Sequence, residues 1–387
     1  MQRNVTALYF IKVSKWFTLI MPIVVLFYKE NGLSQHEIFL LKSIYSVVLV
    51  SLDIPTGYLA DAWGRRNCLL TGCVIAFGGY VFYACSATFW AFMAAEVLLG
   101  VGQSLVSGAD SALLYDTMLH RGREEDYLKY EGKVTMVGNF SEALAGIIGG
   151  LLAAHSLRWP FYGQIAVAFI GIPAALVLKE LNVCKHISHP FRNIRRILGY
   201  SLVENRSLRY DILFSGIIGA ATLTMAWFVQ PVLIEIGLPT AWFGVVWTVL
   251  NLTVGVSALC SDRLNRVLGE HRTYALILLA IAGGYVAVSL SLTYFSLFLF
   301  FLFYIVRGFA TPLLKGYINR QTFSDMRATV LSIRNFIIRL KFAGLAPFIG
   351  WLCDACSLAI ALQATAAVIF IPGAVFLFLR RKVGVAS

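Results

Sequence analysis

The chain has 387 residues, of which 59% are hydrophobic and 13% are charged, and its mean hydropathy is +0.76. A soluble domain carries about 25% charged residues, so this composition excludes a soluble globular protein and indicates a polytopic membrane protein. The formal net charge of +12 would fit a nucleic-acid partner only if the charges did not follow a membrane topology. Lys12 and Lys15 interrupt the first apolar run and no small-residue cleavage site follows, which predicts a retained helix and not a signal peptide.

Apolar runs of about 20 residues, separated by polar breaks, predict twelve transmembrane helices. The predicted segments are 7–28, 37–60, 68–86, 89–116, 131–154, 159–178, 210–236, 241–260, 272–290, 293–316, 329–352 and 357–380. The expected fold class is therefore an all-α integral membrane protein with twelve transmembrane helices in two six-helix halves. An even number of spans places both termini on one side of the membrane.

The basic residues of the loops decide which side that is. On one side the loops hold only Lys29 and Arg158, whereas the other loops and both termini hold many Lys and Arg residues. The positive-inside rule therefore predicts a multi-pass protein of the cell membrane with both termini in the cytoplasm. This topology accounts for most of the net charge, so no nucleic-acid partner is expected.

The longest polar stretch, 179–209, predicts a cytoplasmic linker between an N-terminal half, 1–178, and a C-terminal half, 210–387. Its arginines alternate with apolar residues such as Ile194 and Ile197. This pattern is typical of an amphipathic helix on the anionic inner leaflet, and a solvated basic connector is the alternative.

The end of the second predicted helix and the short connection after it hold Gly57, Asp61, Gly64, Arg65 and Arg66. Positive-inside anchoring explains the two arginines, and a chain turn explains Gly64, but neither explains Gly57 and Asp61 at this spacing. The spacing resembles the signature loop of the major facilitator superfamily, G-x-x-x-D-x-x-G-R-[RK], at every defining position.

The resemblance implies two halves that rock around a central solute site lined by helices one, four, seven and ten. It implies that Asp61 contacts the start of the eleventh helix, that Arg65 pairs with Asp116, and that these contacts form a cytoplasmic gate. Plain charge neutralisation at a crowded loop is the alternative. The spacing of Asp61 and Arg65 recurs as Asp262 and Arg266 in the matching loop of the second half.

Within the superfamily the motif is closest to the drug–proton antiporter branch, but the fourth helix departs from it, because Glu96 stands where that branch has Arg. Away from the ends of the predicted spans lie three other acids, and an ionised group there costs about 2.5–3.5 kcal/mol. Glu142 is the first candidate for binding a coupling proton, followed by Asp110 and Asp53. A structural ion pair is the alternative for each.

Basic residues also fall deep in the predicted spans. Lys12 and Arg334 are placed to snorkel to the inner surface. The others fall near mid-membrane: Lys15, Arg307, Arg339 and Lys341.

The excess of these cations over Glu142 predicts a solute with an anionic group, engaged by Lys15 and Arg307. Polar and aromatic residues at similar depth complete the candidate binding set: Gln103, Trp227, Gln230, Trp247 and Asn251.

The expected function is secondary transport of a small organic solute by alternating access, as proton-coupled export. An organic-anion carrier working in either direction is one alternative, and a non-transporting membrane receptor or scaffold is another. No cofactor, metal site or enzymatic motif is predicted, and no phosphate-binding glycine loop supports ATP-driven transport. The expected partners are the solute, protons and the lipid bilayer, with the protein acting as a monomer.

Overall fold

A computed structural model describes residues 2–180, 190–323 and 326–384. Over these residues the chain is helical and contains no β-strand. The helices are α1 (Gln2–Trp16), α2 (Val24–Glu30), α3 (Gln35–Trp63), α4 (Arg65–Cys85), α5 (Phe89–Leu119), α6 (Tyr127–His155), α7 (Trp159–Val177), α8 (Pro190–Gly199), α9 (Arg206–Glu235), α10 (Ala241–Leu259), α11 (Ser261–Leu268), α12 (Glu270–Leu290), α13 (Phe295–Arg320), α14 (Arg327–Ala355) and α15 (Leu358–Gly384).

Eleven helices in the described part of the chain are long and apolar enough to cross a bilayer. The predicted all-α membrane fold is therefore confirmed. The count of twelve is not confirmed, because the first predicted span, 7–28, is divided between α1 and the short helix α2.

Pro22 lies in the break between α1 and α2, where it disfavours a continuous helix. Proline has no amide hydrogen, and its ring clashes with the carbonyl four residues earlier. Inside a bilayer the freed backbone groups need partners from neighbouring helices. The N–H of Leu19 donates to Oε1 of Gln164 in α7 at 2.8 Å, and Gly149 of α6 lies so close to the Leu19 carbonyl that no side chain would fit there.

The described part of the linker contains α8 followed by a π-helical turn, Tyr200–Glu204, whereas residues 181–189 lie outside the described residues. A helix is therefore present in the linker, and its placement on the inner leaflet stays a prediction. Its Ile197 is buried in a cluster with Leu208, Ile212 and Ile318, so this residue packs against protein.

Contacts divide the chain into two units. Unit 1 comprises Met1–Leu33, Ile44–Ile187 and Pro239–Thr248, and unit 2 comprises Ser34–Ser43, Ser188–Leu238 and Val249–Ser387. The division follows the two halves of the chain, except that each unit includes the first turns of one helix from the other half. The linker boundaries, 179–209, stay a prediction.

Both of these helix starts are held by close backbone contacts. In unit 1, a Cβ on Gly150 of α6 would lie 2.8 Å from the backbone nitrogen of Gly244 of α10. Gly146 and Gly150, one turn apart on α6, therefore form a face of small residues that lets α10 approach closely. In unit 2, Asp354 of α14 accepts hydrogen bonds from the N–H groups at the start of α3, those of Gln35 and His36, at 2.9 and 2.7 Å.

We predict that Gln164→Leu lowers the thermal unfolding midpoint of the purified protein. The change leaves the buried N–H of Leu19 without its acceptor, which costs about 1–3 kcal/mol. Gln363→Leu makes the same chemical change at an exposed position of α15 and serves as the control. Equal midpoints for the two variants would show that Gln164 does not stabilise the break.

Candidate functional site

The charged segment 57–66 lies where two long helices meet with one residue between them. α3 ends at Trp63 and α4 begins at Arg65, so Gly64 alone makes the connection. Its φ of +107° lies in the region that favours glycine. A Cβ at Gly64 would also lie 2.9 Å from Oε2 of Glu180, whereas Gly57 has open space around the same position. The structure therefore explains Gly64 of the motif but not Gly57.

Glu180 holds the start of α4 and was not singled out from the sequence. Its carboxylate accepts hydrogen bonds from the N–H groups of Arg65 and Arg66 at 3.0 and 2.8 Å. An anion at a helix N-terminus satisfies unpaired amides and interacts favourably with the helix dipole. Glu180 is 115 residues from Arg65, so no local pattern connects it to the motif.

Arg65 connects the start of α4 to the C-terminal end of α5. Its Nη1 forms an ion pair with Oδ2 of Asp116 and also donates to the carbonyl oxygen of Ala112 at 2.7 Å. This is the pairing that the family resemblance implies.

Asp61, in contrast to Asp116, has a largely exposed side chain, at 66%. Its Oδ1 lies 3.6 Å from Nη2 of Arg65. Its contact with the start of the eleventh helix, and the role of the loop as a gate, stay predictions. The repeated pair in unit 2 has a similar geometry, with Asp262 3.1 Å from Arg266.

A second charged cluster joins α1 to α5 inside unit 1. Lys12 and Lys15 are three residues apart, which places them on one face of α1. Their Nζ atoms lie 3.8 and 3.4 Å from Oδ2 of Asp110, and all three side chains are largely buried. One carboxylate is therefore shared by two ammonium groups.

Next to this cluster, Ser111 Oγ donates to Oε1 of Glu131 at 2.8 Å. Lys12, Asp110, Ser111 and Glu131 contribute to the lining of a cavity of about 10 Å³, which is room for about one water molecule. The acid and its neighbours therefore form a compact polar site among apolar helices.

This cluster changes two expectations. The prediction that Lys12 snorkels to the surface is wrong, because its charge is neutralised locally by Asp110 and the residue is only 8% exposed. Lys15, predicted as a cation available to an anionic solute, is 3.4 Å from the same carboxylate. The positive charge expected on the first helix is therefore partly balanced within the protein.

Arg334 of α14 also does not snorkel. The residue is 5% exposed, and its Nε donates to Oγ of Ser215 in α9. Farther along α14, Nζ of Lys341 donates to the carbonyl oxygen of Leu213 at 3.2 Å. Both cations therefore turn toward neutral oxygens of α9 instead of extending to the membrane surface.

The remaining candidates are divided between the two units. Unit 1 contains a half-buried Glu142 in α6, a half-buried Gln103 in α5, and Asp53 on an exposed part of α3. In unit 2, Gln230 is buried, and Asn251 and Arg339 are half-buried. The ring of Trp227 lies under the ammonium of Lys42, and the guanidinium of Arg307 lies over the ring of Tyr304.

Glu96, the acid that departs from the antiporter pattern, is buried among tyrosines. Its Oε1 accepts hydrogen bonds from the hydroxyls of Tyr28 and Tyr83 at 2.6 and 3.3 Å. Tyr28 belongs to α2 and Tyr83 to α4, so three helices meet at this carboxyl group. Their distance along the chain explains why the sequence did not reveal the arrangement.

We predict that Asp110→Asn destabilises the protein strongly, because removing one partner of a buried ion pair costs about 3–5 kcal/mol. The double variant Asp110→Asn with Lys15→Gln should recover part of the loss, since fewer cations are then left without a counter-charge. Thermal unfolding in detergent measures both effects. The control is Asp262→Asn, which alters an exposed ion pair. A double variant no more stable than Asp110→Asn alone would contradict the pairing.

The sequence matches the family model described as "Major Facilitator Superfamily" over residues 7–344. One similar protein, from Klebsiella pneumoniae (strain 342), bears the name "Putative multidrug resistance protein MdtD". It is 25% identical over 363 residues, which cover 78% of this chain and 72% of that protein. An MdtD protein from Escherichia fergusonii is 31% identical over 151 residues, which cover 38% of this chain and 30% of that protein.

Solved structures of transporters share the fold. The nucleoside transporter NupG superposes with a TM-score of 0.77 at 15% identity, covering 97% of this chain and 96% of that chain. A bacterial homologue of the human lysosomal transporter Spinster, in an inward-facing and unoccupied conformation, gives 0.75 at 15% identity with the same coverage. With the family match over most of its length, the chain belongs to the Major Facilitator Superfamily of membrane transporters.

Proposed function

We propose that this protein exports a small organic solute across the cell membrane, driven by proton entry, with both termini in the cytoplasm. The observation that carries the proposal is the carboxylate of Asp110, shared by Lys12 and Lys15. Asp110 lies nine residues before the end of α5, or about 13 Å along a helix of 31 residues, so it falls in the second half of that helix and not in its terminal turns.

The shared carboxylate provides a physical means of coupling. While Asp110 is ionised, it stabilises two buried ammonium groups. Protonation removes that negative charge and with it the attraction that holds α1 to α5 at this point, so the two protonation states favour different helix arrangements. Glu142 in α6 remains a candidate for the same role, and Asp53 is the third. The geometry of the cluster favours Asp110.

The direction of transport rests on the relatives. Two similar proteins carry the name of a multidrug resistance protein, which supports export of a small organic molecule. An organic-anion carrier is the second candidate, and its support is the set of basic residues in the spans of unit 2. A receptor or scaffold of the same fold would bind a solute without accumulating it in vesicles.

We predict that Asp110→Asn abolishes proton-driven transport but preserves solute exchange in the absence of a pH gradient. The solute is first chosen by a thermal-shift screen across drugs, siderophores, sugars, phosphates and carboxylates. Everted vesicles with an imposed pH gradient then measure transport at equal protein amount. Asp110→Glu keeps a carboxylate and should retain coupling, and Asp262→Asn is the neutral control. Full coupling in Asp110→Asn and its loss in Glu142→Gln would transfer the role to Glu142.

A separate prediction concerns the motif loop as a gate. Arg65→Ala leaves Asp116 without its partner, and Asp61→Asn removes the motif carboxylate, so each should lower transport by about tenfold or more while the protein remains folded. Transport by equal amounts of each variant in vesicles tests this. Arg266→Ala, in the repeated loop of unit 2, is the matched control. Wild-type turnover in both motif variants would remove the loop from the mechanism.

A further inference from the structure

Two basic residues lie at similar heights on consecutive helices of unit 2. Lys315 lies five residues before the end of α13, and Arg334 lies seven residues after the start of α14. These helices are consecutive and antiparallel, so the two residues are about 8 and 10 Å from the ends that the loop joins. Lys315 is also close enough to Arg334 for their positive charges to repel each other.

The guanidinium of Arg334 is held in place from two sides. Its Nε donates to Oγ of Ser215, and its Nη1 donates to Oδ1 of Asn335 at 3.2 Å. At this level α14 packs closely against α9. A Cβ added to Gly216 would lie 2.6 Å from Ile337, and one added to Gly219 would lie 2.5 Å from Ile338. The Nη2 group donates to no atom of the described residues, so it remains available to a ligand.

Neither charge is balanced by an acid. Among the residues that the structure describes, Lys315 and Arg334 form no ion pair. Asp211, one turn before Ser215, is held instead by the hydroxyl of Tyr274 at 2.8 Å and by the side-chain amide of Gln321. This differs from unit 1, where Lys12 and Lys15 share Asp110.

Two repelling cations inside a membrane helix pair, one of them almost fully buried, are costly without a counter-charge. We infer that Lys315 and Arg334 form an anion-binding site, and that the transported solute carries a carboxylate or phosphate group bound there. Arg334 offers a planar donor group to two oxygens, and Lys315 offers a mobile ammonium with an exposed side chain. The site replaces Lys15 and Arg307 as the predicted anion contacts.

The inference deepens the proposed function and rests on it for the statement that the bound anion is transported. The phosphate of an anionic lipid headgroup offers the same chemistry as a soluble phosphate, so the test includes both sources. Binding is measured without any proton gradient. A failure of coupling therefore leaves the binding result intact, and a failure of binding leaves proton-driven transport to be judged separately.

The probes are four molecules with one ring and different charge: benzoate, phenyl phosphate, benzamide and benzamidine. We expect benzoate or phenyl phosphate to raise the unfolding temperature of the purified protein in neutral detergent, with no rise from benzamide or benzamidine. The dependence on probe concentration gives an apparent Kd. Lys315→Gln and Arg334→Lys should each raise that Kd by about 10- to 100-fold, which is the effect of losing a charge-assisted hydrogen bond.

Two controls keep the result specific. Lys315 has an exposed side chain, so Lys315→Gln tests the site without removing a buried group, even if Arg334 variants fold poorly. Arg266→Gln removes one exposed positive charge from the same unit and should respond to the anions as the wild type does.

Three outcomes would overturn the inference. The first is an equal response to benzoate, phenyl phosphate and neutral benzamide. The second is an anion response that persists unchanged in Lys315→Gln and Arg334→Lys. The third is stabilisation by phosphatidylglycerol in nanodiscs but by neither soluble anion, which would assign the cations to a lipid headgroup.

Discussion

The constraint that organises this protein is that a polar group inside the hydrocarbon layer needs a partner from within the protein. The backbone shows it where the first span is broken around Pro22 and Gln164 accepts a hydrogen bond from the N–H of Leu19. The side chains show it where Asp110 takes up the charges of Lys12 and Lys15. In both cases the partner is a polar side chain of another helix. Each interaction therefore holds two segments of the chain together as well as satisfying the polar group.

The two units meet this constraint differently. Unit 1 contains a buried acid between two lysines, and unit 2 contains Arg334 held by a serine hydroxyl and an asparagine amide. A neutral oxygen accepts the hydrogen bond of a cation but does not balance its charge, whereas a carboxylate does both. The first arrangement is suited to a change of protonation and the second to an incoming anion, which is why the two proposals assign the proton to unit 1 and the solute anion to unit 2.

The long helices and the motif were predictable because both are local signals. A run of about 20 apolar residues indicates a span, and the spacing of Asp61, Gly64 and Arg65 indicates the loop. The break in the first span was missed, although Pro22 was a visible signal, because the flanking apolar run continues through it. Glu180 and Gln164 were not predictable, since each acts on a backbone group more than 100 residues away and only the packed helices bring them there.

The charge of the solute and the direction of transport are connected through the membrane potential. Moving one elementary charge across 100 mV changes the free energy by about 2.3 kcal/mol. With a negative interior, an anion that leaves and a proton that enters both move in the favourable direction, so together they gain about 4.6 kcal/mol at that potential. Uptake of the same anion with one proton would be electroneutral and would gain nothing from it. An anion site at Lys315 and Arg334 and a proton site at Asp110 therefore favour export over uptake on electrostatic grounds alone.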